Sequence, residues 1–579
     1  MKFDNALYTV EFKNSKEKTE IDLQTLVNVS VGFLEDYGEE YLIGKPFHAI
    51  IQNGGGHSKF FRLLEATGCR NNPKDFFAEL LKALENVNGR GCEPVKINNI
   101  ALPQLFLMAV MEKIIPGNQC VSIKDVRQLE KVTNIVVPEK DRSDMQKVIE
   151  TYPVRLSVHT IRQMRTSKVV AGQYLPFVEE LDPVGHGNTW IGQFHQGLLE
   201  QMYQNRVIFL LNMTCPVYCR FCFRKHKASR SRPNPTAEDV KQAIEYVKKY
   251  PGIKEIVLTG GDPFLNKTNM ACAIDGLMEI SHVQTLRLAT RSIAYYPHLF
   301  HADDAAWLNY LKTKNLELQQ IGKRMEIATH FIHPDEISPK SLDIISELVK
   351  NGIAVYVQTP FLKNCNDEGP ELIKLFSLLR GAGAELHFID MPCSPIRGSS
   401  IYWTPISKGL EVARHLRAHG SDRAFPKMCT ATSIGKIDWQ TSGWAVEQDR
   451  DNENFIWVRT PYTPEFFKAF GPLANDPDIV RVNAEGTLDA RYMGKSGDES
   501  LFLGSRKPKS IQAGSVSSNQ EGEIQKDELI KLRSLVFEDQ RISQSLVSTG
   551  SSTLFRTHKT RVEIDIEAND GDLEYIKKK

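Results

Sequence analysis

The sequence has no excess of charge of either sign and no long hydrophobic run. Its 72 lysines and arginines are balanced by 71 aspartates and glutamates, so no overall field favours nucleic acid or an anionic membrane. No apolar stretch reaches the length of a membrane span. The opening residues, MKFDNALYTVEFKNS, lack the apolar core of a secretory signal. We therefore expect a cytoplasmic protein that binds neither nucleic acid nor membrane.

The sequence also lacks a disulfide pattern and a phosphate-binding loop. Seven of its ten cysteines show no pairing pattern and are expected to be free thiols. They are Cys69, Cys92, Cys120, Cys272, Cys365, Cys393 and Cys429. The glycine run at 53–56 has neither the spacing nor the Lys-Ser/Thr ending of a phosphate loop, which favours a flexible turn. The 41% hydrophobic and 25% charged residues are instead typical of a globular protein with a sizeable core.

Composition divides the chain into three predicted parts. Residues 1–150 mix helical stretches with glycine-rich turns and contain no motif of known chemistry, so their role is open. Residues 151–504 form the predicted main domain, with a core at about 205–420 and a following segment at about 421–460. Residues 505–579 are predicted to be a mostly disordered tail, because serine, glutamine and glycine dominate the start of this segment and aromatic residues are few.

Short apolar runs alternate with amphipathic stretches of helical length in the core. The runs are RVIFLLN (206–212), EIVLTGG (255–261), QTLRLAT (284–290), RMEIATHF (324–331), GIAVYVQTP (352–360) and AELHFID (384–390). Thr236 and Asp239 have capping-box spacing where the first intervening helix should begin. Six βα units predict a partial barrel or a doubly wound open sheet.

Polar and reactive residues follow the predicted strands closely. They are Cys215, Gly260, Gly261, Asp262, Arg291, His330, His333 and, within the fifth run, Gln358. Both candidate architectures place ligands at the carboxyl ends of their parallel strands. These residues are therefore expected to meet at one rim.

Three cysteines stand close together in the loop after the first predicted strand. Cys215, Cys219 and Cys222 have C-x3-C-x2-C spacing, and three thiolates can hold three irons of a 4Fe-4S cluster. A zinc site normally needs a fourth ligand, for which His226 is the nearby candidate. The open fourth iron of a cluster could chelate S-adenosylmethionine. The spacing favours this cluster.

The cluster loop and four further stretches resemble the radical S-adenosylmethionine superfamily, and within it the lysine 2,3-aminomutase family. The shared stretches are CPVYCRFCFRKH (215–226), LTGGDPF (258–264), THFIHPDEI (329–337), TPISKG (404–409) and SIGK (433–436), within about residues 170–460. The resemblance implies an α/β fold, a partial (β/α)6 TIM-type barrel with an N-terminal helical extension. It also implies an enzyme that cleaves S-adenosylmethionine to an adenosyl radical.

Residue by residue, the resemblance implies a binding site for S-adenosylmethionine. Gly260, Gly261 and Asp262 match the stretch that contacts the methionine amino group, although a glycine pair also suits a tight turn. His330 and Gln358 match two further contacts of this cofactor, although either could be a satisfied core residue.

The family also uses pyridoxal phosphate. Lys436 matches the lysine that forms the Schiff base, with the preceding glycine run reduced to one residue. Tyr203 and Arg206 match residues that flank the cofactor phosphate, whereas Met202 replaces a second phosphate-binding arginine. Arg224 matches the arginine that binds the substrate α-carboxylate.

The resemblance departs from the lysine-acting enzymes at the substrate side chain. Ser394 and Cys429 align with their two ammonium-binding aspartates, and their C-terminal zinc-binding cysteines are absent. We therefore predict a pyridoxal phosphate-dependent 2,3-aminomutase, an isomerase, of an amino acid other than lysine. A radical enzyme of another reaction class without pyridoxal phosphate and an iron-sulfur sensor are the alternatives. An electron donor such as flavodoxin or ferredoxin is also implied, and a homo-oligomer is compatible.

Overall fold

A ten-stranded sheet forms the centre of the computed structural model. Seven strands run parallel and are called barrel strands 1 to 7: Arg206–Asn212, Glu255–Gly260, Thr285–Ala289, Arg324–His330, Ala354–Pro360, Glu385–Met391 and Lys427–Thr432. They neighbour each other in chain order, without the reversal of a doubly wound sheet. The predicted partial barrel is confirmed. Barrel strand 7 was not predicted, because no continuous apolar run marks it.

The structure describes only part of the chain. Its described residues are 7–11, 18–85, 94–114, 119–133, 135–182, 194–226, 233–391, 400–432, 435–438, 444–460, 462–465, 479–484 and 486–493. The predicted tail at 505–579 lies outside them. None of the helices in the described ranges combines the length and the apolar character needed to cross a bilayer.

Antiparallel strands extend the barrel sheet at both edges. Phe194–Gln196 and Leu199–Tyr203 precede barrel strand 1, and Gly435–Asp438 pairs with barrel strand 7. In this last pair, Lys436 stands opposite Ala431. The edge pairing therefore brings Lys436 to the carboxyl end of barrel strand 7.

Helices connect the parallel strands across the outside of the sheet. They are Ala237–Lys249, Lys267–Met278, Ser292–Tyr295, His298–Gln320, Pro339–Lys350, Gly369–Gly381 and Ile406–His419, with a break in His298–Gln320 at 302–305. The predicted capping box is present, because Thr236 N–H donates to Asp239 Oδ2 over 2.8 Å and Asp239 N–H donates back to Thr236 Oγ1. Val240, Ile244 and Val247 form the buried face of this helix.

The described chain before Phe194 is called the extension here, and it is mostly helical, as predicted for residues 1–150. Its helices are Leu23–Asp36, Glu40–Ile43, Lys45–Ile51, Gly56–Ala66, Pro73–Glu85, Gln104–Ile114, Val126–Thr133, Arg142–Thr151, Val158–Thr166 and Lys168–Tyr174. Its strand pairs are Leu7–Glu11 with Lys18–Asp22, Lys96–Ile97 with Ile100–Ala101, and Cys120–Ile123 with Val154–Ser157. Trp444–Gln448, Phe455–Arg459, Val480–Val482 and Leu488–Met493 form a separate antiparallel sheet beyond the barrel.

The prediction of a flexible turn at the glycine run is wrong for its last residue. Gly56 is the first residue of a helix, and its N–H donates to Glu35 Oε2 over 3.1 Å. A Cβ atom there would lie 2.3 Å from the Val31 carbonyl oxygen. Glycine is needed because the helix start packs directly on another backbone.

Two hydrophobic clusters position the site. The larger one is continuous from the extension helices through Phe106 to barrel residues such as Phe209. The smaller one joins residues between 123 and 175 to Val217 in the cysteine loop and to Tyr295. The extension therefore packs against the same loop that carries the three cysteines.

Candidate functional site

A cavity of about 320 Å³ opens at the carboxyl ends of the barrel strands. Eight predicted site residues line it: Cys215, Cys219, Cys222, Arg224, Gly260, Gly261, His330 and Lys436. The other four, Asp262, Gln358, Tyr203 and Arg206, do not line it and contact its surroundings. The expected gathering of chemical residues at one rim is present.

The three cysteines are free thiols on the cavity wall. Within the described residues, no three His, Cys, Asp or Glu side chains are close enough to hold a single metal ion. Three thiols from one loop are a donor set that suits a 4Fe-4S cluster, in which each thiolate binds a different iron. The side chain of His226, the alternative zinc ligand, lies outside the described part.

A buried ion group holds the cysteine loop in place. Arg220 is 2% exposed and donates to both carboxylate oxygens of Glu180, over 2.9 and 2.6 Å. Lys225 Nζ donates to the same carboxylate over 3.0 Å. The Arg220 N–H donates to the Gln173 carbonyl oxygen, and Tyr218 N–H donates to that of Arg155. Charge-assisted bonds of this kind fix the loop against the extension.

Arg291, at the end of barrel strand 3, also contacts the loop. Its Nη1 donates to Cys219 Sγ over 2.8 Å. Its Nη2 donates to Gln173 Oε1 and to Glu336 Oε1, over 2.6 and 2.7 Å. Burial raises the pKa of Cys219, and the charge of Arg291 opposes that shift. Arg291 thus supplies a positive charge next to a proposed cluster ligand.

The Gly260-Gly261 turn packs against the start of the cysteine loop. Gly261 N–H donates to the Asn212 carbonyl oxygen, and Asp262 N–H donates to that of Thr214 over 2.8 Å. A Cβ atom on Gly260 or Gly261 would lie 2.1 Å from one of these two oxygens. The glycines are therefore required for close backbone packing, and they also line the cavity.

The Asp262 side chain is a buried hydrogen-bond centre. Its Oδ2 accepts from Thr290 Oγ1, Ser292 Oγ and Tyr295 Oη over 2.7, 2.8 and 2.9 Å. Its Oδ1 accepts from Phe264 N–H over 3.1 Å. Burial raises the pKa of this carboxyl, and the hydrogen bonds counteract the increase. The side chain orders the rim from behind the cavity wall.

His330 and Gln358 stand side by side on barrel strands 4 and 5. His330 Nε2 and Gln358 Oε1 are 3.2 Å apart, and Gln358 Nε2 is 3.4 Å from His387 Nδ1. Burial lowers the pKa of His330 and lowers that of His387 to about 4. Both rings are therefore neutral near pH 7. His333 instead caps a short 3-10 turn, where its Nδ1 accepts from Asp335 N–H.

Lys436 forms an ion pair that the sequence did not predict. Its Nζ lies 2.9 Å from Asp390 Oδ1, and the lysine side chain is 30% exposed, toward the cavity. Burial, the largest single influence, acts to lower the pKa of Lys436, but Asp390 and other nearby groups together outweigh burial and the pKa is raised. Asp390 ends the sixth predicted run, so the strand-end rule that selected the other residues would have found it.

Two tyrosines hold the backbone of Lys436. The Lys436 N–H donates to Tyr203 Oη over 3.2 Å, and the Tyr462 hydroxyl donates to the Lys436 carbonyl oxygen. The Arg206 guanidinium lies over the Tyr203 ring at 4.6 Å. Gly435 has φ +148°, and a Cβ atom there would lie 2.6 Å from the Tyr462 ring. The single glycine before the lysine is thus explained by packing.

Arg224 lies on the cavity wall and pairs with a residue that sequence reasoning missed. Its Nη1 is 3.1 Å from Glu200 Oε2, and the Glu200 side chain is 1% exposed. The two residues are 24 positions apart, and no local pattern marks the pair. Glu200 fixes one side of the guanidinium.

Of the two residues aligned with substrate-binding aspartates, the structure describes only Cys429. Ser394 lies outside the described residues. Cys429 is buried on barrel strand 7 and does not line the cavity, and burial raises the pKa of its thiol to about 12. A carboxylate at another position, Asp390, which the sequence analysis did not single out, lines the cavity.

Comparisons with known proteins converge on this part of the chain. Residues 211–376 match the Radical SAM superfamily model. A putative L-lysine 2,3-aminomutase of Aquifex aeolicus is 29% identical over 315 residues, or 52% of this chain and 81% of that protein. The L-lysine 2,3-aminomutase of Methanococcus maripaludis is 29% identical over 53% of this chain and 70% of its own. A glutamate 2,3-aminomutase of Clostridioides difficile is 26% identical over 43% of this chain and 55% of its own.

Proposed function

Because the chain belongs to the radical S-adenosylmethionine superfamily and is similar to L-lysine 2,3-aminomutases, we propose that it is a pyridoxal phosphate-dependent 2,3-aminomutase of an amino acid other than lysine. The observation that carries the proposal is the cavity wall, which contains the three cysteines, Arg224 and Lys436 together. One radical-generating group and one amine-binding group can therefore face the same small substrate.

The cluster loop supports the radical half of this function. When bound, the cluster and S-adenosylmethionine supply a carbon-centred radical that removes a hydrogen atom from the substrate. Cys215, Cys219 and Cys222 would hold the cluster, and the backbone of Gly260 and Gly261 would approach the methionine group. Apolar side chains, including Val217, Phe221, Phe361 and Leu362, line the same cavity and would exclude water from the radical.

The strand Gly435–Asp438, which carries Lys436, supports the amino-transfer part of the proposed function. Pyridoxal phosphate, when bound, supplies a carbonyl group for imine formation and a path for nitrogen migration. Lys436 would hold this carbonyl, and its position is fixed by Tyr203, Tyr462 and Asp390. Arg206 would contact the phosphate, since a guanidinium suits a dianion. These contacts fit the cofactor although Met202 replaces a second arginine.

Arg224 is the proposed anchor of the substrate carboxylate. A guanidinium has five N–H donors in a fixed fork, so its bond to Glu200 leaves donors that can reach a ligand. The buried Glu200 carboxylate also restricts rotation of the Arg224 head. A carboxylate held here would place the adjacent carbons of an amino acid inside the cavity.

Electrostatics around Asp390 supports a substrate side chain without positive charge. The Asp390 carboxylate is engaged by Lys436 at 2.9 Å, so the pair as a whole adds no negative charge to the wall. A lysine ammonium would compete with Lys436 for this partner, and an unpaired buried charge costs several kcal/mol. We therefore keep an uncharged or acidic amino acid as the proposed substrate.

A radical enzyme without pyridoxal phosphate is the second candidate. It is favoured by Met202 and by the single glycine before Lys436, where the family has an arginine and a glycine run. Absorbance of the purified protein in the pyridoxal region separates the two candidates.

The decisive experiment is anaerobic reconstitution with iron, sulfide, S-adenosylmethionine and pyridoxal phosphate. Products from a mixture of amino acids are then identified by mass spectrometry. A β-amino acid that requires both cofactors supports the proposal. Efficient formation of β-lysine would refute the substrate class only, whereas radical cleavage without any amine shift would favour the second candidate.

A further inference from the structure

A second cavity, of about 260 Å³, lies between the N-terminal extension and the barrel. From the extension it is lined by Glu112 on helix Gln104–Ile114, and by His159 and Arg162 on helix Val158–Thr166. From the barrel side it is lined by Tyr296, Pro297, His298 and Lys340. None of these residues lines the cavity at the strand ends. This interface cavity is therefore separate from the proposed active site.

The floor of the interface cavity is polar and buried. The side chains of Glu112 and His159 are 5% and 4% exposed, and His159 Nδ1 lies 3.6 Å from Glu112 Oε1. Among the described residues, no hydrogen-bond partner is present for His159 Nε2 or for Glu112 Oε1. A buried polar atom without a partner destabilises the folded protein. His159 Nε2 therefore requires a partner that enters the cavity.

The charges around the cavity favour an anion as this partner. Burial lowers the pKa of Arg162 to about 10, which leaves the guanidinium charged at neutral pH. Burial lowers the pKa of His159 well below its usual value and raises that of Glu112. Arg162 and Lys340 thus supply two positive charges, against at most one negative charge on Glu112.

The position of Lys340 adds to this positive potential. Lys340 lies in the first turn of the twelve-residue helix Pro339–Lys350, whose N-cap is Ser338. A helix N-terminus carries a partial positive charge and exposes N–H groups, which together favour oxyanions. Lys340, Tyr296 and His298 are only partly buried, so a ligand can enter between them and reach the buried floor.

We propose that the interface cavity binds a small oxyanion, a phosphate or carboxylate group, between Arg162, Lys340 and the ring of His159. His159 Nε2, when it carries the proton, donates to the ligand. Because the ligand contacts helices of both the extension and the barrel, its binding stabilises their packing.

The first test measures binding of inorganic phosphate and of acetate to the full chain with its cluster reconstituted. Isothermal titration is carried out at constant ionic strength, balanced with chloride. Binding of phosphate alone identifies a phosphate group as the ligand, and binding of acetate alone identifies a carboxylate. If neither anion binds more tightly than chloride, the proposal is refuted.

Substitutions separate this cavity from a phosphate site near Arg206. Lys340→Met should weaken binding of the anion by about fivefold or more, since one of two facing charges is lost. Lys350→Met is the matched control, because Lys350 is exposed at the other end of the same helix, and it should leave the affinity unchanged. Equal affinities in the wild type and Lys340→Met would place the anion elsewhere and refute the proposal.

A third variant tests the sign of the charge directly. Glu112→Gln keeps the shape of the side chain and removes its negative charge, so it should tighten anion binding by about twofold or more. A variant that failed to fold could not produce this result, because the expected change is a gain of affinity. Unchanged or weaker anion binding in Glu112→Gln would show that no anion lies next to Glu112, which contradicts the proposal.

Discussion

At the scale of single residues, the pairing of Lys436 with Asp390 makes the role of the lysine testable. Lys436→Ala should lose the adduct that borohydride traps with pyridoxal phosphate. It should retain cluster iron and some cleavage of S-adenosylmethionine, because the cysteine loop and the strand that carries Lys436 are different segments. Mass spectrometry of the reduced protein checks the first outcome. Lys427→Ala, in the exposed first position of barrel strand 7, is the control that should keep the adduct.

Asp390 has a separate and opposite expected effect on the same adduct. Among the groups that raise the pKa of Lys436 against burial, Asp390 is the largest, so it helps to keep the amine protonated and slow to attack a carbonyl. In Asp390→Asn burial remains and the carboxylate charge is gone, so the pKa of Lys436 should fall. The pH midpoint of adduct formation should then move to lower pH. A midpoint that stays in place or rises would show that Asp390 does not control the lysine.

The site residues that sequence reasoning missed include the charged partners of predicted residues. The cysteines, glycines and histidines could be predicted because they follow apolar runs in the chain. Glu200 and Glu180 could not, since their partners Arg224 and Arg220 are 24 and 40 positions away. Such pairs are created by the fold and leave no local pattern.

At the scale of elements, the contact between the glycine turn and the cysteine loop predicts a coupled defect. Gly261→Ala would place a methyl group 2.1 Å from the Thr214 carbonyl oxygen. Backbone must move to relieve this contact, at a cost of about 1–3 kcal/mol. We expect a lower melting temperature and reduced cluster iron, measured by calorimetry and iron analysis.

A helical glycine provides the control for this substitution. Gly172 lies in helix Lys168–Tyr174, and no atom is within 4 Å of a Cβ atom built there. Gly172→Ala should therefore preserve iron content and stability. If Gly261→Ala behaved in the same way, the turn would not be supporting the loop.

Elements differ in how clearly the sequence marks them. Barrel strands 1 to 6 each contain several apolar residues, and in barrel strands 2, 3 and 5 buried and partly buried positions alternate. Barrel strand 7 has the sequence KMCTAT, and its pairing with barrel strand 6 is set by the fold rather than by hydrophobicity. Gly56 was predicted to lie in a turn because its close packing on Val31 is a long-range contact, which leaves no local sequence pattern.

At the scale of the whole molecule, the partly buried and neutral His387 predicts a loss of stability in acid. Burial, with help from the charges of Arg287 and Lys436, lowers the pKa of His387 to about 4, below the unfolded value of about 6.5. As pH falls from about 6.5 toward 4, the unfolded chain binds a proton that the folded chain does not, and stability decreases. The contribution of His387 is fully present only above its unfolded pKa.

His387→Gln isolates this effect from the other titrating groups. The variant should show a flatter decrease of the free energy of unfolding with falling pH, by up to about one proton between pH 6 and 5. Denaturant unfolding at several pH values measures the slope. The same slope in the variant and the wild type would mean that His387 titrates alike in both states.

The edge position of Lys436 has a consequence for how such enzymes can diversify. The lysine is carried by an antiparallel strand that, among the described strands, pairs with the last parallel strand alone, whereas the cysteines and the glycine turn follow the first two strands. A change confined to this edge would alter the proposed amine chemistry and leave in place the parallel strands that carry the cysteine loop and the glycine turn. The two proposed chemistries therefore rest on separable parts of one sheet.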